Sequence, residues 1–462
     1  MLGDDKSLTD KMTINGDTSG KSYIDVINHG GIGGLTNEGI KLITVGGRSN
    51  GDFKLVSDYQ FNNQPTVVVG AYGYQLFKGS NVNGDDGNWY LRSNLYDEKP
   101  DPNPKPKPKP EPEPDPDPEV KPTPDLSRPT QQKYKPIYQP GVPIYEGYLH
   151  SLQQMNVVET LRERIGARYN SLLGIADFDI DNAANAMGFW MRSEGSFNQA
   201  QPSSKTGYSS ESNIFKFQAG IDGDLWENDE GVLIGGIAYH HVDSDTNIQS
   251  LYGDGDIKSR SNGIGASLTW LGNDNLYVDA QMQYSWYKSN LKSDLAKKTL
   301  IKDNHAFGQV YSIEVGKSYH LNDSWSLTPQ AQLSYSMIDL DSFQDVWNTA
   351  INDSKSRNLR GRYAIALDWH DQWQGAGGTI DSLHIFGIAN VYNEFLDGNG
   401  LKVDDLKLTD SSSNVWGGIG IGADYKWDDK YSVFGQVSFD GDFKAPSQNN
   451  GFKGNVGFTL KW

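Results

Sequence analysis

The residues of this chain best placed by type to do chemistry are the pair His240-His241, with Asp243 and Asp245 close behind. Imidazole beside carboxylate can move protons in a hydrolysis. As a metal site the pair falls short, because such sites take three or four ligands, and a polar rim at the end of a strand is the plainer reading. His29, the only histidine before residue 100, has no evident partner. The chain has no cysteine, which removes disulfide staples, thiolate metal sites and cysteine nucleophiles. No Gly-Asp-Ser nucleophile occurs, and no Gly-x-x-x-x-Gly-Lys-Ser/Thr phosphate loop. These observations assign no catalytic residue, no metal ligand and no cofactor. The remaining candidates are acids and bases whose meaning depends on where they face: Glu159, Glu163, Glu194 and Glu314 against Arg192, Arg360 and Arg362.

The elements that would position them are strands. From Trp325 to Met337, Trp325, Leu327, Ala331, Leu333, Tyr335 and Met337 share one face, while Ser326, Thr328, Gln330, Gln332, Ser334 and Ser336 share the other. The same period of two runs through Leu276 to Trp286, Tyr363 to Trp369, Val415 to Tyr425 and Val456 to Trp462. A soluble β-domain with one face on a core also alternates. Two features favour a membrane-spanning barrel: aromatic residues gather near segment ends, as in the girdles at a bilayer's edges, and short turns such as 272–275 and 322–324 alternate with longer polar connections such as 289–304 and 341–357. Twelve segments are expected, near 187–198, 212–226, 231–243, 257–271, 274–288, 305–319, 323–339, 357–371, 379–396, 402–426 (only partly strand), 429–441 and 452–462. An even number suits a bacterial single-chain barrel. On that reading Arg192, Glu194, Glu314, Arg360 and Arg362 face the lumen, where the acids could assist hydrolysis or simply pair with the arginines.

Composition agrees with this picture. There is no apolar run near twenty residues and hence no candidate transmembrane helix, while a barrel's polar lumen face accounts for a mean hydropathy of -0.61. A net charge of -18 disfavours nucleic acid as a partner. The opening residues Met1-Leu2-Gly3-Asp4-Asp5 carry no export signal, so a fragment of a longer exported precursor is expected.

Three zones precede the barrel. Residues 1–96 hold short β-branched runs, such as Ile40 to Val45 and Thr66 to Val69, between Gly and Asn turns. They suggest either the last rungs of a β-solenoid or a small free-standing sandwich. In residues 97–141 proline occupies every second position from Pro100 to Pro118, a pattern of a stiff polyproline II spacer or, alternatively, of a proline-motif ligand. From 142 to about 170 the period shifts to 3.6, with Tyr145, Tyr148, Leu149, Leu152, Met155, Leu161 and Ile165 on one face. A single helix of about twenty-five residues would be about 37 Å long, the depth of a barrel. It fits a plug in the lumen at 142–175 or an amphipathic helix on a soluble domain.

These zones, in this order, resemble the C-terminal part of the type Va, or classical, autotransporters, and the resemblance covers the whole chain. Ala71-Tyr72-Gly73-Tyr74-Gln75-Leu76 and Asn88-Trp89-Tyr90-Leu91-Arg92-Ser93 resemble the pertactin-like passenger end. Leu161 to Arg168 resembles the pore helix, Gly188 to Arg192 the first strand, and Gly457-Phe458-Thr459-Leu460-Lys461-Trp462 the terminal aromatic signal. The resemblance implies a right-handed β-helix end in 1–96, a linker in 97–141, a pore helix in 142–175 and a twelve-stranded antiparallel barrel in 185–462. It further implies a passenger folding core of Tyr72, Tyr74, Trp89 and Leu91. The pore-helix residues would be Tyr148, Leu152, Met155, Leu161, Arg164 and Ile165, and Phe458, Leu460 and Trp462 would form the assembly signal. Implied partners are outer-membrane lipid and lipopolysaccharide, the barrel assembly machinery and periplasmic chaperones, with a monomeric barrel. The serine-protease branch of the family cleaves itself at an Asn-Asn pair in the helix, where this chain has Glu159-Thr160; another branch uses acidic lumen residues. An outer-membrane barrel protease and a passive porin are the other classes weighed. The porin explains neither the linker nor the helix.

Overall fold

A computed structural model describes residue 4 and residues 7–80, 84–95, 135–166, 188–375, 378–396, 399–411, 414–428, 430–444 and 449–461. The alternating prolines of 100–118, the helix expected beyond residue 166, and Trp462 lie outside these residues. The chain divides into two compact units, one of Met1–Asp58 and Asn62–Tyr138 and the other of Tyr59–Phe61 and Gln139–Trp462.

In the first unit, short strands stack in parallel at one fixed offset. Met12 lies opposite Ile43, Thr18 opposite Ser49 and Lys21 opposite Asp52, 31 residues apart in every case. That constancy is the signature of a solenoid coil laid on the next. The pairing then turns antiparallel: Ile40–Val45 pairs with Gly84–Arg92, which pairs with Tyr72–Ser80, which pairs with Gln64–Val69. Ile40, Ile43, Val67, Val69, Tyr74, Trp89 and Leu91 form the core beneath, and Tyr72 packs against it half-buried. Phe53 meets Trp89 edge-on, ring centres 5.3 Å apart. The Tyr74 hydroxyl accepts from Gly34 N–H at 2.7 Å and donates to Gly34 C=O at 2.6 Å, and burial pushes its pKa up to about 12. The end of the proline-rich zone is built into this unit rather than solvated. Lys135–Pro136 pairs with Asn94–Leu95, and Ile137 N–H donates to Ser93 C=O.

The second unit is a barrel of twelve strands: β1 (Gly188–Ala200), β2 (Ser209–Asn228), β3 (Gly231–Gln249), β4 (Gly255–Gly272), β5 (Leu276–Ser293), β6 (Lys298–Lys317), β7 (Trp325–Leu340), β8 (Ser354–Gln374), β9 (Ile380–Glu394), β10 (Val415–Trp427), β11 (Tyr431–Asp442) and β12 (Asn450–Lys461). Every pairing is antiparallel between sequence neighbours, and β12 closes the ring on β1 with Phe458 opposite Met191 and Leu460 opposite Phe189. Tight turns such as Asn228 to Gly231 gather at one end and longer connections at the other. Where 402–426 is expected to be partly strand, a hairpin of Asn399–Val403 and Leu406–Asp410 precedes β10 and joins Phe343–Gln344 and Ala350–Ile351 in a small sheet.

Burial decides between the soluble and membrane readings of the alternation. In β7 the polar Ser326 and Thr328 are 0% and 2% exposed, while Trp325 and Leu333 are 39% and 44% exposed. Ile237, Ile264, Ile313, Ile365, Ile419 and Val456 likewise face out. Water would reject such a surface, whereas hydrocarbon requires it. At the short-turn end Tyr425, Trp427, Tyr431 and Phe458 pack ring on ring as an interfacial girdle, and Trp226 stacks on Trp270. No helix of the described residues is long and apolar enough to cross a membrane.

Candidate functional site

Inside the barrel lies the segment whose apolar period of 3.6 stands out in the sequence. It is two helices, α1 (Val142–Met155) and α2 (Leu161–Ile165), rather than the single helix expected. The break has a local cause. Asn156 leaves helical geometry at φ -94°, ψ 60°, and its wholly buried side chain is taken up by the wall. Its amide donates to Ser336 Oγ at 2.9 Å and to the carbonyls of Met337 and Gln309 at 3.1 and 3.2 Å, while its oxygen accepts from the Tyr287 hydroxyl at 3.0 Å. Four residues on, Thr160 restarts the helix with a capping box, its hydroxyl accepting from Glu163 N–H and Glu163 reaching back to Thr160 N–H. Gly166 ends it at φ 58°, where an added Cβ would stand 2.6 Å from atoms of Asp424 and Phe434.

Both helices are held on every side by inward side chains. Near the long-loop end, the Glu146 carboxylate accepts from Lys205 N–H, Thr206 N–H and the Thr206 hydroxyl at 2.9, 3.0 and 2.6 Å. The Tyr145 hydroxyl and the Gln139 amide both donate to Asp345 at 2.9 Å. In mid-lumen Ser151 bonds Thr246, and Gln153 donates to Ser356 while accepting from Ser336. Tyr148, Leu152, Met155, Leu161 and Ile165 are at most 3% exposed, and Glu146, Ser151 and Gln153 are buried as well.

Toward the short-turn end, charges of the helix meet opposite charges of the wall. Glu159 takes Arg192 and Lys216, at 2.5 and 2.6 Å, and Glu163 takes Lys453. In return Arg162 binds Asp368 of β8, and Arg164 binds Asp279 of β5 at 2.6 Å. Buried ions need such partners, since a lone one would cost several kcal/mol. His384 bridges Asp368 and Asp424 at 2.9 and 2.8 Å. Glu194 pairs with Arg192 at 3.2 Å. Glu314 accepts from the Tyr277 hydroxyl at 2.6 Å with Arg362 at 3.9 Å, and Arg360 pairs with Glu394 at 3.2 Å. Each acid weighed as a catalyst is thus engaged by a cation or a hydroxyl. A cavity of about 380 Å³ remains beside the break, lined by Glu194, Lys216, Arg360, Trp416, Asp440 and Lys453 among others.

The histidine pair is corrected by its position. It sits in the middle of β3, not at a strand end. His240 is buried in the lumen and bonds Ser285 at 2.9 Å, whereas His241 faces out and bonds Asp243 and Asn262 at 2.9 Å. Adjacent strand residues point to opposite faces, so the two rings cannot share a site. Among the described residues no group of three or more His, Asp or Glu is placed to hold a metal.

Residues 189–438 match the model of the autotransporter beta-domain family, and residues 1–76 match the autochaperone domain, type 1. The chain belongs to the autotransporter family. It is 38% identical over all of its length to the adhesin BmaC autotransporter of Brucella suis biovar 1, of which it spans 13%. It is also 26% identical to the uncharacterised protein YdeU of Escherichia coli K12, covering 98% of this chain and 92% of that one. Among solved structures, the transport unit of the autotransporter AIDA-I from Escherichia coli aligns with 66% of this chain at 16% identity and a TM-score of 0.48. An autotransporter barrel with an apolar outer band resides in the outer membrane of a Gram-negative bacterium, and this one is embedded there.

The lumen residues Asn156, Arg162, Lys216, Asp279, Asp368, His384 and Lys453 are absent from the candidates drawn from sequence. Inward parity alone would have found Lys216, Asp279 and Asp368; their pairing with one helix spans 57 to 206 positions and carries no sequence signal.

Proposed function

We propose that the chain is the translocator of an autotransporter, which secretes and anchors the protein chain N-terminal to it as a surface adhesin. The observation that carries this reading is the direction of the lumen segment. It enters at the long-loop end as α1 and reaches the short-turn end as α2, close to where β1 begins. Whatever precedes Val142 is thereby delivered to the external side, with the barrel as its anchor. The adhesin assignment rests on the name of the Brucella relative and concerns the part of the protein upstream of residue 1. In this reading residues 1–96 finish the passenger and promote its folding around Tyr72, Tyr74, Trp89 and Leu91. Residues 97–141 are the spacer, 142–175 the plug and 185–462 the barrel, which functions as a monomer. Folding outside the cell supplies direction without ATP. Phe458, Leu460 and Trp462 serve the assembly machinery, and periplasmic chaperones escort the unfolded chain. The lumen acids are structural, because each already has a partner, and the translocator is not an enzyme.

Protease shaving of intact cells tests this. Loss of epitopes before residue 130, with survival of a heat-modifiable fragment in the outer membrane, is the expected outcome. Uniform digestion of the whole chain would overturn it. A second arm removes α1 and α2: single-channel conductance should rise several-fold if they close the lumen, and an unchanged conductance would reject the plug.

A further inference from the structure

The two ends of the lumen differ in how their buried charges are answered. Toward the short-turn end, Glu159, Glu163, Asp279 and Asp368 each meet an arginine or a lysine. Toward the long-loop end, Glu146, Asp345, Asp410 and Asp442 are between 4% and 6% exposed, yet none of them forms an ion pair among the described residues. Neutral donors meet them instead: the Tyr208 hydroxyl donates to Asp410 Oδ2 at 2.7 Å, and Lys444 N–H to Asp442 Oδ1 at 2.9 Å. A buried carboxylate answered only by neutral groups still attracts a cation. Asp410 and Asp442 line the cavity beside α1, and so does Asp440. Seven acids line it against four lysines and arginines. Of those four cations, Lys216 is paired with Glu159, Lys453 with Glu163 and Arg360 with Glu394. The fourth, Arg362, faces Glu314 at 3.9 Å and donates to Asn390 and Gln330 at 2.8 Å. The buried lining atoms without a hydrogen-bond partner among the described residues include Asp410 Oδ1, Asp440 Oδ1 and, on α1, Gln154 Oε1. All three are acceptors, so what the cavity lacks is a donor.

The cavity runs from Glu159 and Glu163 to Ala200 and Asp442, at the long-loop ends of β1 and β11. Leu396, Ser411 and Asn414 on its lining are exposed, so it opens at that end. The unmatched acids are strung out rather than gathered. Asp440 and Asp442 are alternate inward residues of β11, about 7 Å apart, and Asp410 ends the hairpin strand Leu406–Asp410. Among the described residues no three acids or histidines converge as a metal ion would require. We propose that the cavity binds a linear polyamine, an alkyl chain with ammonium groups a few carbons apart, which enters from the long-loop end. Its ammonium groups donate charge-assisted hydrogen bonds to Asp410, Asp440, Asp442 and Gln154, and its methylenes lie on Ile214, Val242 and Val310 of the same lining. The volume of about 380 Å³ suits so slender a chain. The seat itself depends on the barrel alone, and only the ligand's external origin rests on the translocator reading.

The test titrates the purified full chain calorimetrically, in neutral detergent at low salt, with spermidine, fully acetylated spermidine, trilysine and Mg²⁺. Spermidine should bind, and its uncharged acetylated form should not. Asp410→Asn/Asp440→Asn, whose amide still accepts from Tyr208, should bind spermidine about tenfold more weakly. Asp440→Asn alone should lose about threefold, and it carries the test if the double variant does not fold. Asp339→Asn, which removes an outward acid paired with Lys355, should leave binding unchanged. Equal affinity of wild type and both cavity variants for spermidine would overturn the site. Trilysine binding as tightly would overturn the choice of a free polyamine, and Mg²⁺ binding as tightly, with the same loss in the variants, the choice of an organic cation. Heat-modifiable migration shows whether each barrel is intact. An intact barrel that binds no spermidine loses this site and leaves the translocator assignment standing.

Discussion

The two units of this chain are both built from β-strands but place their apolar side chains oppositely: the first buries consecutive residues such as Val67, Val68 and Val69, whereas the barrel strands alternate with the apolar side chains outside. In the first unit Tyr74, Trp89 and Leu91 lie inside on aliphatic neighbours. In the barrel Leu333, Ile365 and Ile419 lie outside, and Ser326, Thr328 and Asp368 are inside. Alternation thus fixes that a strand has two unlike faces, and the solvent outside decides which one is buried. The first unit is held by hydrophobic burial. The second is held from outside by lipid and from inside by hydrogen bonds and ion pairs converging on a helix.

Substitutions of opposite kind should separate the two regimes. The largest effect is expected from Trp89→Ala, which opens a cavity in the core of the first unit at a cost of about 3–5 kcal/mol. Thermal unfolding of that unit should shift steeply down, while barrel heat-modifiability stays as in wild type; a concerted loss of both would show one cooperative unit. Next is Ile365→Arg, in the middle of the outward run Tyr363, Ile365 and Leu367, costing about 2–4 kcal/mol where the bilayer is deepest. Urea unfolding of the barrel in vesicles should reveal it. An unperturbed midpoint would mean that this face is not in lipid. The smallest effect at neutral pH is Tyr74→Phe, which loses the two bonds to Gly34 for about 1–2 kcal/mol. Its pH signature is sharper. The folded-state pKa of Tyr74 lies near 12 against 10.0 unfolded, so the protonated hydroxyl contributes fully below pH 10, and that contribution fades as pH rises toward 12. Alkaline melting of the unit should begin later in the Phe variant, relative to its own neutral stability. Identical alkaline curves would move the cause to another group.

Much of the barrel was legible in advance because its information is local. Twelve strands follow from turns and alternation; most segments lie within a few residues of the observed range, but 402–426 starts 13 residues before β10, 305–319 starts seven residues inside β6 and 231–243 ends six residues short of β3, because polar residues beyond Asp243 and Lys288 read as loop. The helix was legible as apolar residues at 3.6 spacing, but its break was not. Nothing between Asn156 and Glu159 is a helix breaker by propensity strong enough to signal it; the interruption arises because Ser336, Gln309, Met337 and Tyr287 claim the Asn156 side chain. The histidine pair misled for a related reason, since the end of β3 was drawn at Asp243 instead of Gln249.

The sequence by itself determined the order of zones, the absence of thiol and phosphate-loop chemistry, the alternation and the number of strands, since each depends on residues near one another along the chain. Only the tertiary structure decided which lumen charges pair. Arg162 with Asp368, Arg164 with Asp279 and Glu163 with Lys453 are joined across up to 290 positions. It decided equally that Asp243, Arg260, Lys288 and His305 stand in one row across four strands. Register and closure of a barrel set such neighbours, and these are properties of the whole ring that no window of sequence contains.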